Sequence, residues 1–219
     1  MPTASIYCDG ACRGNGRAGA VGGWAWAYWP GAAGGEPTAG AAERLPTPPV
    51  ATNQRAELRA LLEALQWWGA RGGGGPVRIY SDSQYAINCA SVWGPGWKRR
   101  GWMRGAGEPV QNVDLIQPLV DLWGLMRVPL VHVRGHQTGD GPESWGNNWV
   151  DRMAVAAAEG RGARFDRRGV AGAGAGAALM DGGDTIELVA PEPAKKRPTV
   201  AAATAKGPVV QGDIRSWFS

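Results

Sequence analysis

The stretch QRAELRALLEALQWW (residues 54–68) gives the clearest helix signal in the chain. Its apolar residues recur at helical spacing and form a single stripe. Thr52 or Asn53 is placed to cap the N-terminus, and Gly69 with the glycines of 72–75 ends the helix. The stripe consists of Leu58, Leu61, Leu62, Leu65 and Trp68.

Strand patterns precede this helix and alternate with further helices after it. The early strands are joined by short Gly- and Pro-rich connections, which are typical of an antiparallel meander. Strands followed by alternating helices and strands predict an α/β fold, in which a mixed five-stranded sheet carries helices on both faces. The predicted strands are residues 4–9, 20–29, 36–45, 77–81 and 128–133, and the later helices are 83–91 (broken at Gly94-Pro95), 114–126 and 148–159.

Composition divides the 219 residues into a folded part and a tail. Of the twelve Trp residues, only Trp217 lies beyond Trp149, while Gly169–Ala178 is almost entirely Gly and Ala. Residues 190–208 lack apolar periodicity, so this region cannot bury enough apolar surface to offset its ordering entropy. The sequence therefore predicts a folded domain over 1–159, a disordered linker over 160–210 and a separate terminal segment over 211–219.

The same sequence excludes several protein classes. No run of about 18 apolar residues is present, so we expect no membrane span. The first residues lack the basic and apolar regions of a secretory signal, and three cysteines are too few for a disulfide framework. We therefore expect a cytoplasmic or nucleoid-associated protein. The net charge of +4 permits a polyanionic partner without proving one.

Four acidic residues lie at junctions between predicted elements: Asp9, Glu57, Asp82 and Asp151. Strand ends and helix starts of one sheet can converge at one edge, where α/β folds usually bind ligands. Four carboxylates repel one another unless cations lie between them, and such hard oxygen ligands suit Mg²⁺. Taken singly, an Asp after a strand is more often a turn residue or helix cap, and a Glu in the first helical turn is often a response to the helix dipole.

Five short motifs around these residues resemble those of type 1 ribonuclease H, and they occur in that family's order. One such motif would be weak, but five in order over about residues 1–158 are specific. The motifs are Asp9-Gly10-Ala11-Cys12-Arg13-Gly14-Asn15, Thr52-Asn53-Gln54-Arg55-Ala56-Glu57-Leu58, Tyr80-Ser81-Asp82-Ser83-Gln84-Tyr85, Val133-Arg134-Gly135-His136 and Asn147-Asn148-Trp149-Val150-Asp151.

The resemblance implies the ribonuclease H fold and hydrolysis of the RNA strand of RNA–DNA hybrids in DNA replication or repair. It implies a monomer with two Mg²⁺ ions per site, or Mn²⁺ in their place, held by the four carboxylates. It also assigns His136 to proton transfer or product release. Gly135, Gly139 and Gly141 flank that histidine and give its loop the mobility that such a role needs.

Contacts to the hybrid follow from the same motifs. Neutral side chains can read the 2′-hydroxyls of one strand without reading base sequence. Residues 97–104 interleave cations with Trp, and they resemble the basic protrusion of bacterial ribonuclease HI, although a solvated surface loop would look similar. The predicted contacts are Cys12, Asn15, Asn53, Gln54 (where the family usually has Asn), Gln84, Lys98, Arg99 and Arg100.

The last nine residues contain a cluster of large apolar side chains after about fifty residues rich in Gly, Ala and Pro. Gln211, Ile214, Trp217 and Phe218 resemble the sliding-clamp-binding peptide known as the PIP box. In a single 3₁₀ turn, Ile214 and Trp217 would point the same way and fill an apolar pocket. Docking back on the domain or a chance pattern are the alternatives.

Two other functions fit part of the pattern. A related polynucleotidyl transferase, such as an integrase or transposase, uses similar carboxylates, but those enzymes typically lack the Asp-Gly-Ala-Cys and Arg-Gly-His pieces in this arrangement. A noncatalytic hybrid-binding module is disfavoured because all four carboxylates are present.

Overall fold

A six-stranded mixed sheet forms the centre of the computed structural model, which describes residues 3–72, 75–105, 107–135, 139 and 141–166. The strands are β1 (Ala4–Arg13), β2 (Val21–Trp29), β3 (Ala39–Arg44), β4 (Val77–Ser81), β5 (Leu130–His132) and β6 (Ala163–Asp166), in the order β5-β4-β1-β2-β3-β6. The first three strands pair antiparallel, and β4 and β5 add parallel to β1. The mixed α/β sheet predicted from the sequence is confirmed.

Helices cover both faces of this sheet. They are α1 (Asn53–Ala70), α2 (Gln84–Asn88), α3 (Gly94–Arg99), α4 (Val113–Met126) and α5 (Pro142–Ala158), and a π-helical turn (Cys89–Trp93) joins α2 to α3. The predicted apolar stripe of α1 is buried. Thr52 is its N-cap, and the Thr52 hydroxyl accepts the backbone N–H of Arg55 at 3.1 Å.

Two glycines let α1 and α5 approach β1 more closely than any side chain would allow. A Cβ atom at Gly10 would lie 2.2 Å from the carbonyl carbon of Ala56, and a Cβ at Gly146 would lie 2.5 Å from the Tyr7 ring. Successive strand residues face opposite sides, so Gly10 and Tyr7 place α1 and α5 on opposite faces. Both helices thereby reach the strand that carries Asp9.

The sixth strand corrects the predicted count of five and extends the fold beyond the predicted boundary at residue 159. β6 pairs antiparallel with β3, and the Phe165 ring lies against Gly40. Arg71, the C-cap residue of α1, forms an ion pair with Asp166 at 2.8 Å. Strand β6 was not predicted because Phe165 is the only large apolar residue of this short segment, which follows Gly160 and Gly162. The rest of the predicted linker and the terminal segment lie outside the described residues.

Two helix boundaries were also predicted wrongly, both at a Gly-Pro pair. The predicted break at Gly94-Pro95 is the start of α3, and α5 begins at Pro142 rather than at residue 148. Proline fits the first turn of a helix because the backbone N–H groups there have no helical partner. Residues 142–147, which were predicted as part of a loop over 136–147, therefore belong to α5.

Further general expectations concern the membrane and the cysteines. No helix in the described part of the chain is both long and apolar enough to span a bilayer. Cys8, Cys12 and Cys89 are free thiols, of which Cys8 and Cys89 are buried.

Candidate active site

Asp9 lies in β1 and is the most buried carboxylate of the site, with 7% of its surface exposed. Its Oδ1 accepts the backbone N–H of Gly10 at 2.7 Å. The pKa of Asp9 is raised to about 8, mainly by burial and also by the charges of Asp82, Asp151 and Glu57, against the opposing hydrogen bond from Gly10. The structure therefore brings the four predicted carboxylates into one electrostatic cluster.

Glu57 reaches this cluster from the second turn of α1. The Ser83 hydroxyl donates a hydrogen bond to Glu57 Oε2 at 2.6 Å. Burial raises the pKa of Glu57, the Ser83 hydrogen bond lowers it, and the Asp82 charge raises it. Ser83 belongs to the third motif, but its role could not be predicted from the sequence because its partner lies on a distant element.

Asp82 follows β4 directly and is held from several sides. His132 Nε2 lies 3.1 Å from the Asp82 carbonyl oxygen, and Gly135 packs against the Asp82 carboxylate. Asn147 of α5 donates a long hydrogen bond of 3.5 Å from Nδ2 to Asp82 Oδ2. Asn147 is 2% exposed, and its Oδ1 has no partner among the described residues. It is a second buried neutral residue whose role the sequence did not reveal.

The donor set fits a hard divalent cation, since all four predicted ligands are carboxylates and their mutual repulsion favours a positive charge between them. Within the ranges that the structure describes, however, no three His, Cys, Asp or Glu side chains are arranged to hold a metal ion as they stand. His136, the predicted proton-transfer residue, lies outside the described residues.

The predicted neutral contacts to the hybrid lie on or next to the elements that carry Asp9, Glu57 and Asp82. Asn15 Oδ1 accepts the backbone N–H of Asn53 at 3.0 Å, which ties the turn after β1 to the start of α1. Asn15, Asn53 and Gln54 are exposed, and Cys12 is half-buried at the end of β1. Gln84, two residues after Asp82, is exposed and donates to Asn88 at 2.9 Å. The amide groups therefore lie at the surface beside the acidic cluster.

The basic stretch is partly helical rather than a loop throughout. Lys98 and Arg99 end α3, Arg100 follows as its C-cap, and all three are exposed. Lys98 Nζ pairs with Asp121 of α4 at 2.7 Å, while Arg100 donates to a backbone carbonyl. One of the three predicted phosphate contacts is therefore already neutralised within the fold.

Arg55 is a structural residue of the site that sequence reasoning missed. Its guanidinium donates two hydrogen bonds to Asp114, at 2.9 and 2.5 Å, and one to Asn112 Oδ1 at 3.3 Å. This Arg55 hydrogen bonding lowers the pKa of Asp114. Such bidentate pairing fixes orientation, so it holds the first turn of α1 against the start of α4.

Comparison with known proteins agrees with this geometry. The family model described as RNase H matches residues 2–159. The chain belongs to the ribonuclease H family. This family member is 39% identical over 158 residues to a ribonuclease H of Cyanothece sp. (strain PCC 7425 / ATCC 29141), which covers 72% of the chain and 90% of the relative.

Other relatives match over different shares of their length. The ribonuclease H of Cupriavidus necator is 40% identical over 149 residues, which is 90% of that relative. The chain spans only 57% of the ribonuclease H of Anaeromyxobacter sp. (strain K), at 43% identity over 113 residues.

Solved structures confirm the predicted fold. LC9-RNase H1, described as a type 1 RNase H with the type 2 active-site motif, is 30% identical, with a TM-score of 0.56 and coverage of 75% of each chain. The foamy viral protease-reverse transcriptase in complex with RNA/DNA hybrid is 21% identical, with a TM-score of 0.53 over 72% of this chain and 20% of that one, and shows a likeness of fold alone.

The charge on Asp9 predicts a pH-dependent stability difference between the wild-type chain and Asp9→Asn. The ordinary pKa of this carboxyl is 3.8, and the folded value is about 8. Ionisation therefore favours the unfolded chain as pH rises between about 4 and about 8, and folded wild-type protein loses stability over that window. Asn keeps the acceptor for the Gly10 N–H but carries no charge.

We expect Asp9→Asn to match wild type at pH 4 and to exceed it at pH 8 by at least about 1 kcal/mol, or roughly 2–4 °C in Tm. Urea unfolding in EDTA at both pH values measures the difference. If Asp9→Asn is less stable than wild type at pH 8, the charge on Asp9 does not destabilise the folded chain and the prediction is wrong.

Proposed function

We propose that this chain is an endoribonuclease that hydrolyses the RNA strand of RNA–DNA hybrids, leaving 5′-phosphate ends, in DNA replication or repair. The observation that carries the proposal is the convergence of four carboxylates around buried Asp9, in a chain of the ribonuclease H family. A binding module would have no need to keep four repelling charges together at a cost in stability.

The proposed reaction depends on two divalent cations, Mg²⁺ or Mn²⁺. Asp9, Glu57, Asp82 and Asp151 would hold them, and when bound the cations would supply positive charge to activate a water and to stabilise the leaving oxygen. The Gly10 N–H fixes one oxygen of Asp9, which is the part of the site that the chain itself keeps in place. His136 is proposed for the proton or product-release role on sequence grounds alone.

Recognition of the hybrid is proposed to use the exposed amides beside this cluster. Asn53 and Gln54 lie at the start of the helix that carries Glu57, and Gln84 follows Asp82 by two residues at the start of α2. Short amides can donate to and accept from a 2′-hydroxyl, which only the RNA strand carries. Cys12 and Asn15 complete the proposed contact surface from the end of β1.

Cleavage of a labelled hybrid tests the proposed function. We expect the full chain with Mg²⁺ to cut the RNA strand, and to leave duplex DNA and duplex RNA intact. Asp82→Asn should lower the rate about a thousandfold, because metal charge stabilisation is worth several kcal/mol. Ser91→Ala, which removes a hydroxyl that donates to the Ile87 carbonyl within the same helical segment, serves as a folded control. Wild-type rates from Asp82→Asn, or equal cutting of duplex DNA, would sink the proposal.

The basic residues of α3 predict a graded salt dependence of hybrid binding. Each phosphate contact that is removed reduces the slope of log affinity against log salt by roughly 0.7–0.9. Arg99→Gln should therefore flatten the slope more than Lys98→Gln does, since Lys98 is already paired with Asp121. Arg78→Gln, the same charge change on exposed β4 surface, provides the control. An unchanged slope for a Lys98, Arg99 and Arg100 triple variant rules out the phosphate role.

We also propose that residues 211–219 bind a sliding clamp, and that the chain acts in the cytoplasm or nucleoid. The support is the sequence pattern of Gln211, Ile214, Trp217 and Phe218, which lies outside the described residues. A tethered enzyme gains effective concentration near the DNA that a clamp encircles.

Calorimetry of the full chain with its host's ring-shaped clamp tests this tether. We expect binding by wild type, and none by the Ile214→Ala and Phe218→Ala double variant, while both proteins cleave free hybrid equally. No binding by wild type ends the idea.

A further inference from the structure

Ser83 lies between the acidic cluster and the first turn of α2, and its hydroxyl forms a hydrogen bond with each. The Ser83 Oγ is 2.6 Å from Glu57 Oε2 and 3.1 Å from the backbone N of Ala86, where it caps the helix. The Ser83 backbone N–H donates in turn to Ser81 Oγ at 3.1 Å. The residue is 5% exposed, so water does not compete for these bonds.

The direction of the bond to Glu57 is fixed by the other contact. A backbone N–H can only donate, so the Ser83 oxygen accepts from Ala86 and its single proton points at Glu57. A hydroxyl that donates to a carboxylate makes a charge-assisted hydrogen bond, which is stronger than a neutral one. The contact therefore favours one orientation of the Glu57 side chain.

This bond opposes a force that pushes Glu57 away. Glu57 is a long side chain with several rotamers, and the Asp82 charge beside it is repulsive. Ser83 follows Asp82 directly, so the turn that places Asp82 also places the donor that retains Glu57. A single neutral hydroxyl thus ties the Glu57 carboxylate of α1 to the turn that follows Asp82.

We propose that Ser83 is a positioning residue that holds Glu57 ready for divalent cations, and so sets the affinity of the site for them. The inference rests on the proposed function, because it concerns the same carboxylates. It assigns the hydroxyl a role that is distinct from capping α2.

The two roles of Ser83 can be separated by substitution. Gly is an acceptable N-cap residue, so Ser83→Gly largely keeps the start of α2 while it removes the donor to Glu57. Ser83→Ala removes both functions, and Ser83→Thr keeps both. A purely structural role would make the Ala variant the worst and leave the Gly variant close to wild type.

Binding of Mn²⁺ to the full chain, followed by electron paramagnetic resonance of the free ion, is the test. We expect Ser83→Gly and Ser83→Ala to bind Mn²⁺ about 10–100-fold more weakly than wild type, which is the usual effect of losing a residue that orients a ligand. Ser83→Thr should stay within about threefold. Urea unfolding of each variant shows whether α2 and the fold remain intact.

Wild-type Mn²⁺ affinity in Ser83→Gly overturns the inference, as does a Thr variant that folds normally but binds as weakly as Gly. Hybrid cleavage, measured in parallel, separates this outcome from failure of the proposed function. If wild type binds Mn²⁺ but leaves the hybrid intact, the proposed function fails while the Ser83 series still decides the positioning role.

Discussion

The close contact of α1 with β1 at Gly10 is the constraint on which the site depends. A Cβ atom there would lie 2.2 Å from the Ala56 carbonyl carbon and 2.3 Å from the Glu57 nitrogen, so only glycine permits the approach. The contact stacks the start of α1 directly on the strand residue next to Asp9. Backbone packing thereby brings Glu57 beside Asp9.

The same packing forces like charges together, and the rest of the fold has to offset their repulsion. Asp9 shows the consequence most clearly, with a pKa raised to about 8 by burial and by its acidic neighbours. Neutral donors retain the carboxylates, since the Gly10 N–H bonds Asp9, Ser83 bonds Glu57 and Asn147 reaches Asp82. A divalent cation bound between the carboxylates would relieve their mutual repulsion.

Elements with strong local signals could be predicted from the sequence, and elements defined by their partners could not. The helix predicted over 54–68 is α1, Asn53–Ala70, because its leucine stripe is regular and its ends are marked by Thr52 and a glycine run. β6 was missed because its place is fixed by β3, Phe165 and the Arg71 ion pair rather than by its own four residues. The start of α5 was misplaced because Gly141-Pro142 is typical of both loops and helix N-termini.

The residues of the candidate site also differ in whether they could be predicted from the sequence. The four carboxylates were recognisable because each lies in a short motif with its own local pattern. Arg55, Ser83 and Asn147 were not recognisable as parts of the site, since their partners Asp114, Glu57 and Asp82 lie far away in sequence. Propensity and spacing describe neighbours along the chain, whereas these contacts exist only after the sheet and helices have packed.

The central claim is that the fold holds these carboxylates together for divalent cations, and the Tm of the full chain in MgCl₂ and in NaCl of equal ionic strength tests it most directly. At pH 8 we predict a higher Tm in 10 mM Mg²⁺, by about 3–6 °C if the dissociation constant is about 1 mM. The Mg²⁺-dependent increase in Tm should be smaller at pH 5, because a proton bound to Asp9 then competes with the cation. The same Tm in both salts at pH 8 would contradict the claim.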